Sequence, residues 1–256
     1  MEKMNKTKLL PDYPNTFVVT ITAMMTALVA ITTFAIQLYI PATSGYFNIG
    51  EIIIYTSAII FGPIIGGISG GVGAAIADLI GYPIYAPGTL VIKFLEGFII
   101  GFLVYNIDFN KTKKYWRFIG IGIGVLIGSV LALIGINYYS ATWEIGIIYL
   151  GTIEISVSSI VWIILGIVSG GSIIIASLRI SLESAFYSII ILIGGSVMVL
   201  GYFIYEYFIL YSILSIELIA FAEIPLNFGQ ALIGLVVSVP IIKILKKSIP
   251  SLDKNL

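Results

Sequence analysis

The 256-residue chain contains no cysteine and no histidine. Disulfides, thiol nucleophiles, thiolate or imidazole metal sites and a Ser–His–Asp triad are therefore excluded together. Charge is scarce: 10% of residues are charged, against roughly 25% in soluble domains. A soluble globular fold is excluded on that ground. The 13 Lys and Arg are balanced by 13 Asp and Glu, so no basic surplus exists for nucleic acid. No Gly-Lys-Ser/Thr phosphate-binding sequence occurs, which removes a Walker-type ATPase site. No cofactor and no metal site are expected.

What the chain has in abundance is apolar. Hydrophobic residues make up 59% of it, and the mean hydropathy is +1.10. The 27 glycines suit membrane helices, where small residues let backbones approach closely. These features predict an all-α, polytopic membrane helical bundle. A hydrocarbon core of ~30 Å needs about 20 apolar residues in helix. Eight segments fit, at 17–38, 49–61, 63–81, 88–107, 117–138, 148–177, 184–205 and 226–246. The second is short and meets the third at Phe61-Gly62-Pro63, a place for a break. Runs such as Ile119 to Ile136 are apolar on every face, unlike the alternating strands of outer-membrane barrels. The first apolar run is too long for a signal-peptide core, so the N-terminus is expected to be retained. One transmembrane domain is expected over 17–247, between cytoplasmic tails at 1–16 and 248–256.

Basic residues give the orientation. Lys3, Lys6 and Lys8 precede the first segment, and Lys111, Lys113, Lys114 and Arg117 follow the fourth. Arg179 follows the sixth, and Lys243, Lys246, Lys247 and Lys254 follow the eighth. Cytoplasmic termini place all of these on the inner side. The opposite loops, around Pro41–Asn48, Gly81–Pro87, Tyr138–Glu144 and Tyr207–Glu223, contain no Lys or Arg. Lys93 alone falls outside the pattern.

Ionisable groups within a bilayer are costly and need a reason. Glu51, Asp78, Lys93 and Glu96 lie in or beside the outer halves of segments. Lys93 and Glu96 are three residues apart on one helical face and can pair. Either they form a structural ion pair, or Lys93 meets a ligand with Glu96 orienting it. Asp78 reads either as an interfacial, solvated carboxylate or as a ligand group. Glu206, Glu217 and Glu223 read as solvated loop residues. Tyrosines gather at the same outer ends, Tyr46, Tyr202 and Tyr205 among them, as an interfacial belt would. Tyr82 and Tyr85 stand in the Gly/Pro-rich stretch Gly81–Gly88, predicted to be a stiff non-helical loop and a pocket wall. Gly66, Gly67, Gly70, Gly71, Gly73, Ala74 and Ala77 form overlapping small-xxx-small patterns that predict tight helix packing.

Together these motifs resemble the substrate-binding S components of energy-coupling factor (ECF) vitamin transporters. The resemblance lies in Ala23-Met-Met-Thr-Ala27, Asn48-Ile-Gly-Glu51, Phe61-Gly-Pro63, Ala77-Asp78-Leu79 and Tyr85-Ala-Pro-Gly-Thr89 through Lys93-Phe-Leu-Glu96-Gly97. It continues in Gly201-Tyr-Phe-Ile-Tyr-Glu206 and Ala222-Glu-Ile-Pro-Leu-Asn227-Phe-Gly-Gln230. It covers roughly 17–107 and 186–247 and is nearest the riboflavin- or pyridoxine/hydroxymethylpyrimidine-type subfamily. It implies a six-helix core, with residues 117–183 as an insertion of about two helices. It also implies a vitamin-like substrate captured at the outer face, a transmembrane coupling (T) component and two ATPase subunits as partners, and no enzymatic activity. On this resemblance Ala23 and Ala27 would form the coupling strip. Asn48, Glu51, Asp78, Tyr82, Tyr85, Lys93, Glu96, Asn227 and Gln230 would form the substrate site. The competing reading is a stand-alone ion-coupled secondary transporter that uses the intramembrane carboxylates. Thr152–Ser158 alternates like a strand and is read as either helix or irregular structure.

Overall fold

A computed structural model describes residues 13–40, 45–112, 114–140, 142–147, 151–179, 181–216 and 220–249. The chain runs α1 (Asn15–Ala35), β1 (Leu38–Ile40), β2 (Gly45–Phe47), α2 (Glu51–Phe61), α3 (Pro63–Gly81), α4 (Ala86–Asn106) and a short α5 (Phe109–Thr112). It continues with α6 (Trp116–Ile134) and a π-helical turn Gly135–Tyr139, then β3 (Thr142–Ile147), β4 (Gly151–Ser156) and α7 (Ser159–Arg179). The last helices are α8 (Leu182–Ile204), which passes into a π-helical stretch Tyr205–Tyr211, and α9 (Ala220–Ser248).

Seven of the described helices are long and apolar enough to cross a membrane, and α2 is a shorter apolar helix. The protein is a multi-pass helical membrane protein. At 11 residues α2 is about 16 Å long, half a bilayer core. It tolerates this because nine of its residues, Glu51 and Ile54–Phe61, are buried in protein rather than facing lipid. Gly62 ends it with φ 90°, a conformation that favours glycine, and its N–H caps the Ala58 carbonyl. Pro63 then opens α3 at a position where the missing N–H costs nothing.

The expected boundaries shift where the backbone found a pairing partner. The first segment ends at Ala35 rather than residue 38, because Leu38–Ile40 pairs antiparallel with Gly45–Phe47. The sixth begins at Ser159 rather than residue 148, because Gly151–Ser156 pairs antiparallel with Thr142–Ile147; this resolves the alternating stretch as strand. The eighth begins at Ala220, so Glu223 is on a helix and not in a loop. The stretch Gly81–Gly88 is not a loop throughout. Gly81 still belongs to α3 and Ala86-Pro87-Gly88 to the first turn of α4, where proline is accepted. Only Tyr82–Tyr85 turns between them.

The chain divides into two compact units. One comprises residues 1–113 and 186–256, the other residues 114–185. In the first, α3 is the hub, and its glycines do the packing as predicted. A Cβ at Gly66 would stand 2.5 Å from Ala58 Cα, one at Gly71 2.5 Å from the Leu90 carbonyl oxygen, and one at Gly73 2.6 Å from that of Thr26. The same stripe thus brings α2, α4 and α1 against α3 at backbone distance. In the second unit, α6 and α7 meet through Gly124, Gly128, Gly166 and Gly170, each closing on a carbonyl of the facing helix.

Candidate functional site

Five segments of the first unit end at one place: the strand β2, the N-terminal end of α2, the turn between α3 and α4, the π-helical end of α8 and the N-terminal end of α9. A polar cavity of about 30 Å³ lies there, lined by Tyr46, Asn48, Asp78, Tyr85, Tyr202, Glu206, Glu223, Asn227 and Gln230. Such a volume has room for about two waters.

The amide side is pre-ordered. The Asn48 backbone N–H donates to Gln230 Oε1 at 2.8 Å, and Gln230 Nε2 donates to Asn227 Oδ1 at 2.9 Å. Asn48 Oδ1 accepts from the Gly50 N–H at 2.9 Å, which fixes the turn into α2. Asn227 and Gln230 share a face of α9 because they are three residues apart.

Asp78 is buried rather than solvated, at 2% exposure. The Tyr46 hydroxyl donates to one of its oxygens and the Thr89 hydroxyl to the other. Thr89 Oγ1 is also 3.0 Å from the Tyr202 hydroxyl, so α3, α4 and α8 meet in one chain of hydrogen bonds. Burial, and next the Asp78 carboxylate, hold the Tyr46 phenol above its ordinary pKa. Burial likewise raises Tyr85, with Glu206 and Glu223 adding to the effect. Tyr82 does not line the cavity. It stacks on Tyr46, ring centroids 4.4 Å apart. Tyr205 closes over Gly88, and its hydroxyl donates to the Ile84 carbonyl at 2.6 Å, clamping the end of α8 to the α3–α4 turn.

One helical turn further along α4, Lys93 takes two partners rather than one. It is paired with Glu51 of α2 and with Glu96 at 3.1 Å, and the Tyr55 hydroxyl donates to Glu96 Oε1 at 2.9 Å. Lys93, Glu51 and Glu96 are 3%, 1% and 0% exposed. The Lys93 ammonium also lies 5.6 Å from the Tyr202 ring centre. These three charged groups form a closed triad beside the cavity and do not line it. Of the sequence-derived site, then, Asn48, Asp78, Tyr85, Asn227 and Gln230 converge on the cavity; Tyr82, Glu51, Lys93 and Glu96 stand behind it.

Glu206 and Glu223 correct the sequence reading most. They are cavity-lining and buried, at 1% and 5% exposure, and not solvated loop residues. The signal was the continuation of helix: π-helical geometry carries α8 past Glu206, and α9 starts before Glu223. Glu217 lies outside the described residues. At the other candidate surface, Ala23 and Ala27 are exposed on α1. They line an apolar groove with Val18, Thr22, Ala30, Ile64 and Ile68.

The sequence model of the family described as "ECF-type riboflavin transporter, S component" matches residues 15–178. The chain belongs to this S-component family. It is accordingly a membrane transport protein of a class that is not enzymatic. The match runs through residues 117–178, so it does not single that stretch out as an addition to the family. It stops before α8 and α9, which supply Tyr202, Glu206, Glu223, Asn227 and Gln230 to the cavity. A relative in Pyrococcus woesei, "Uncharacterized protein in gap 3'region", is 44% identical over 108 residues, 42% of this chain and 67% of that protein.

Proposed function

We propose that this protein is the substrate-binding subunit of an ATP-driven ECF importer. It captures a vitamin-like heterocycle at the outer face and delivers it inward with a T component and two ATPase subunits. The observation that carries this reading is the polar cavity at one end of the first unit, walled by aromatic, amide and carboxylate side chains from separate elements. A cleft with a few convergent polar groups in an otherwise apolar bundle is the usual form of a small-molecule site. Family membership supplies the transport class.

The orientation follows from the basic residues. With cytoplasmic termini, eight crossings including α2 leave the cavity on the side whose loops carry no Lys or Arg. Ala23 and Ala27 suit a coupling face. They are exposed, one turn apart, and flanked by a groove into which a partner helix can pack closely. The secondary-transporter reading is weaker. Its best intramembrane carboxylates, Glu51 and Glu96, are already both engaged by Lys93.

Mass spectrometry of small molecules carried through purification of the full chain tests the binding function. Uptake measured with and without the ATPase subunits tests the coupling. Uptake that persists without them would refute the importer assignment.

A further inference from the structure

The second unit carries charge only at its two ends. Glu144 and Glu154 lie on the β3–β4 hairpin, and Lys114, Arg117, Arg179 and Glu183 lie at the opposite end of the α6–α7 pair. Gly124 closes on Gly170 and Gly128 on Gly166, so the two helices run antiparallel and bring the start of α6 beside the end of α7. Basic groups outnumber the acid there, and Lys114, Arg117 and Arg179 are all exposed. Tyr115 is half exposed between the first two, its ring centre 4.8 Å from the Lys114 ammonium. Basic and aromatic side chains together mark the headgroup level of a bilayer.

Next to this basic end the pair presents an apolar groove of about 370 Å³. The four packed glycines floor it; Val125 and Ala132 on α6, and Ile163, Ile167 and Ile174 on α7, form its walls. From Ile163 to Ile174 it runs about 16 Å along α7. One leaflet of a ~30 Å hydrocarbon core is about 15 Å deep. A helix about 10 Å across would displace on the order of 1,300 Å³ over that length, so it could rest only on the rim. A flexible hydrocarbon chain can lie on the floor. Arg117 stands seven residues before Gly124 and eleven before Gly128, which puts it on the floor side of α6, about 10 Å from the near end of the groove. Cations at headgroup level, in line with an apolar trough one leaflet deep, complement a lipid whose headgroup is negative.

We propose that the α6–α7 groove binds an anionic phospholipid from the leaflet at its basic end, with one acyl chain along the glycine floor and the phosphate held by Lys114 and Arg117.

The test is native mass spectrometry of the purified full-length protein, titrated with palmitoyl-oleoyl phosphatidylglycerol or palmitoyl-oleoyl phosphatidylcholine. The two probes share their acyl chains and differ in net charge. A basic residue near an anionic headgroup is worth roughly fivefold in affinity, so a preference of roughly 5- to 30-fold for phosphatidylglycerol is expected, and Lys114→Gln with Arg117→Gln should abolish it. Two glycine variants test the groove itself. A Cβ at Gly122 or at Gly171 meets nothing within 4 Å, so both sites accept a side chain without disturbing the α6–α7 contact, but only Gly171 lines the groove. Gly171→Leu should weaken phosphatidylglycerol at least tenfold, whereas Gly122→Leu should leave it unchanged, with the thermal midpoint preserved in both. Equal affinity for the two lipids in the native chain overturns the proposal. So does a preference that survives the double glutamine variant, or a Gly171→Leu variant that binds as Gly122→Leu does. A native mass of two copies that Gly171→Leu reduces to one would assign the groove to a second copy of this chain and overturn the lipid site. No arm of the test involves the transported substrate, so its failure leaves the transporter reading intact.

Discussion

Lys93→Met is the perturbation with the largest calculable effect. Lys93 sits between Glu51 and Glu96, and all three are at most 3% exposed. Their formal charges sum to one negative. Removing the cation leaves two carboxylates buried against each other, with only the Tyr55 hydroxyl among the described residues to serve them. Breaking a buried pair by removing one partner costs about 3–5 kcal/mol. For a chain of this size that corresponds to a fall of about 6–20 °C in thermal midpoint. Glu51→Gln acts in the opposite sense on charge. It leaves a neutral Lys93–Glu96 pair, and Glu51 Oε2 has no partner among the described residues, so the cost should stay below about 1–2 kcal/mol. The triple variant Glu51→Gln, Lys93→Met, Glu96→Gln should regain most of the loss, because the stranded charge is gone. Detergent-solubilised protein without ligand, followed by thermal unfolding of each variant, measures this ranking. If Lys93→Met were no less stable than Glu51→Gln, or if the triple variant were the worst, the triad would not be held as described.

Further outcomes follow from the same geometry. The native chain has no cysteine, so single cysteines report topology without background; one at Pro83 should be labelled from outside by an impermeant reagent and one at Lys111 should not, and the reverse pattern would invert the orientation. Ala23→Trp with Ala27→Trp should abolish complex assembly and transport while ligand binding survives, and lost binding in the purified double variant would make the strip an internal packing face. Gly97→Val should destabilise the bundle by about 1–3 kcal/mol or more, since a Cβ there meets the Gly66 carbonyl oxygen at 2.4 Å; an unchanged thermal midpoint would contradict that contact. Gln230→Ala removes both the acceptor of the Asn48 N–H and the donor to Asn227. It should weaken substrate binding by about 1–3 kcal/mol, and unchanged affinity would remove this amide pair from the site.

The eight apolar segments were legible because a bilayer allows few solutions. Backbone groups must be satisfied inside the segment, so length and hydropathy nearly determine it. What the hydropathy could not reveal was pairing between neighbours. The two hairpins, Leu38–Ile40 with Gly45–Phe47 and Thr142–Ile147 with Gly151–Ser156, draw residues out of apolar runs that read as helix. The acidic half of the site was missed for a related reason. Glu206 and Glu223 stand next to polar, aromatic stretches that look like loops, and a π-helical continuation leaves no periodic signature in so short a stretch. Spacing within one helix was readable, as Lys93–Glu96 and Asn227–Gln230 demonstrate. Partnership between helices was not: nothing in the sequence brought Glu51 to Lys93, or Gln230 to the Asn48 backbone.

Two kinds of polar group occur at this end of the bundle, and their different fates separate structure from recognition. In lipid, apolar surface gives helices little reason to associate, so close backbone packing and buried polar contacts must hold them. The glycine stripe of α3 does the first. The Glu51–Lys93–Glu96 triad and the Tyr46–Asp78–Thr89 chain do the second, tying α2, α3 and α4 together through groups that satisfy one another. The hydrogen-bonded and ion-paired atoms of these groups are accounted for by the fold. Glu206 is different: it lines the cavity and takes part in neither set of contacts. It also stands in the part of the chain lying outside the family match, where substrate specificity has room to differ from that of relatives. Substitutions in the triad should therefore move stability before affinity, and substitutions at Glu206 should move affinity before stability.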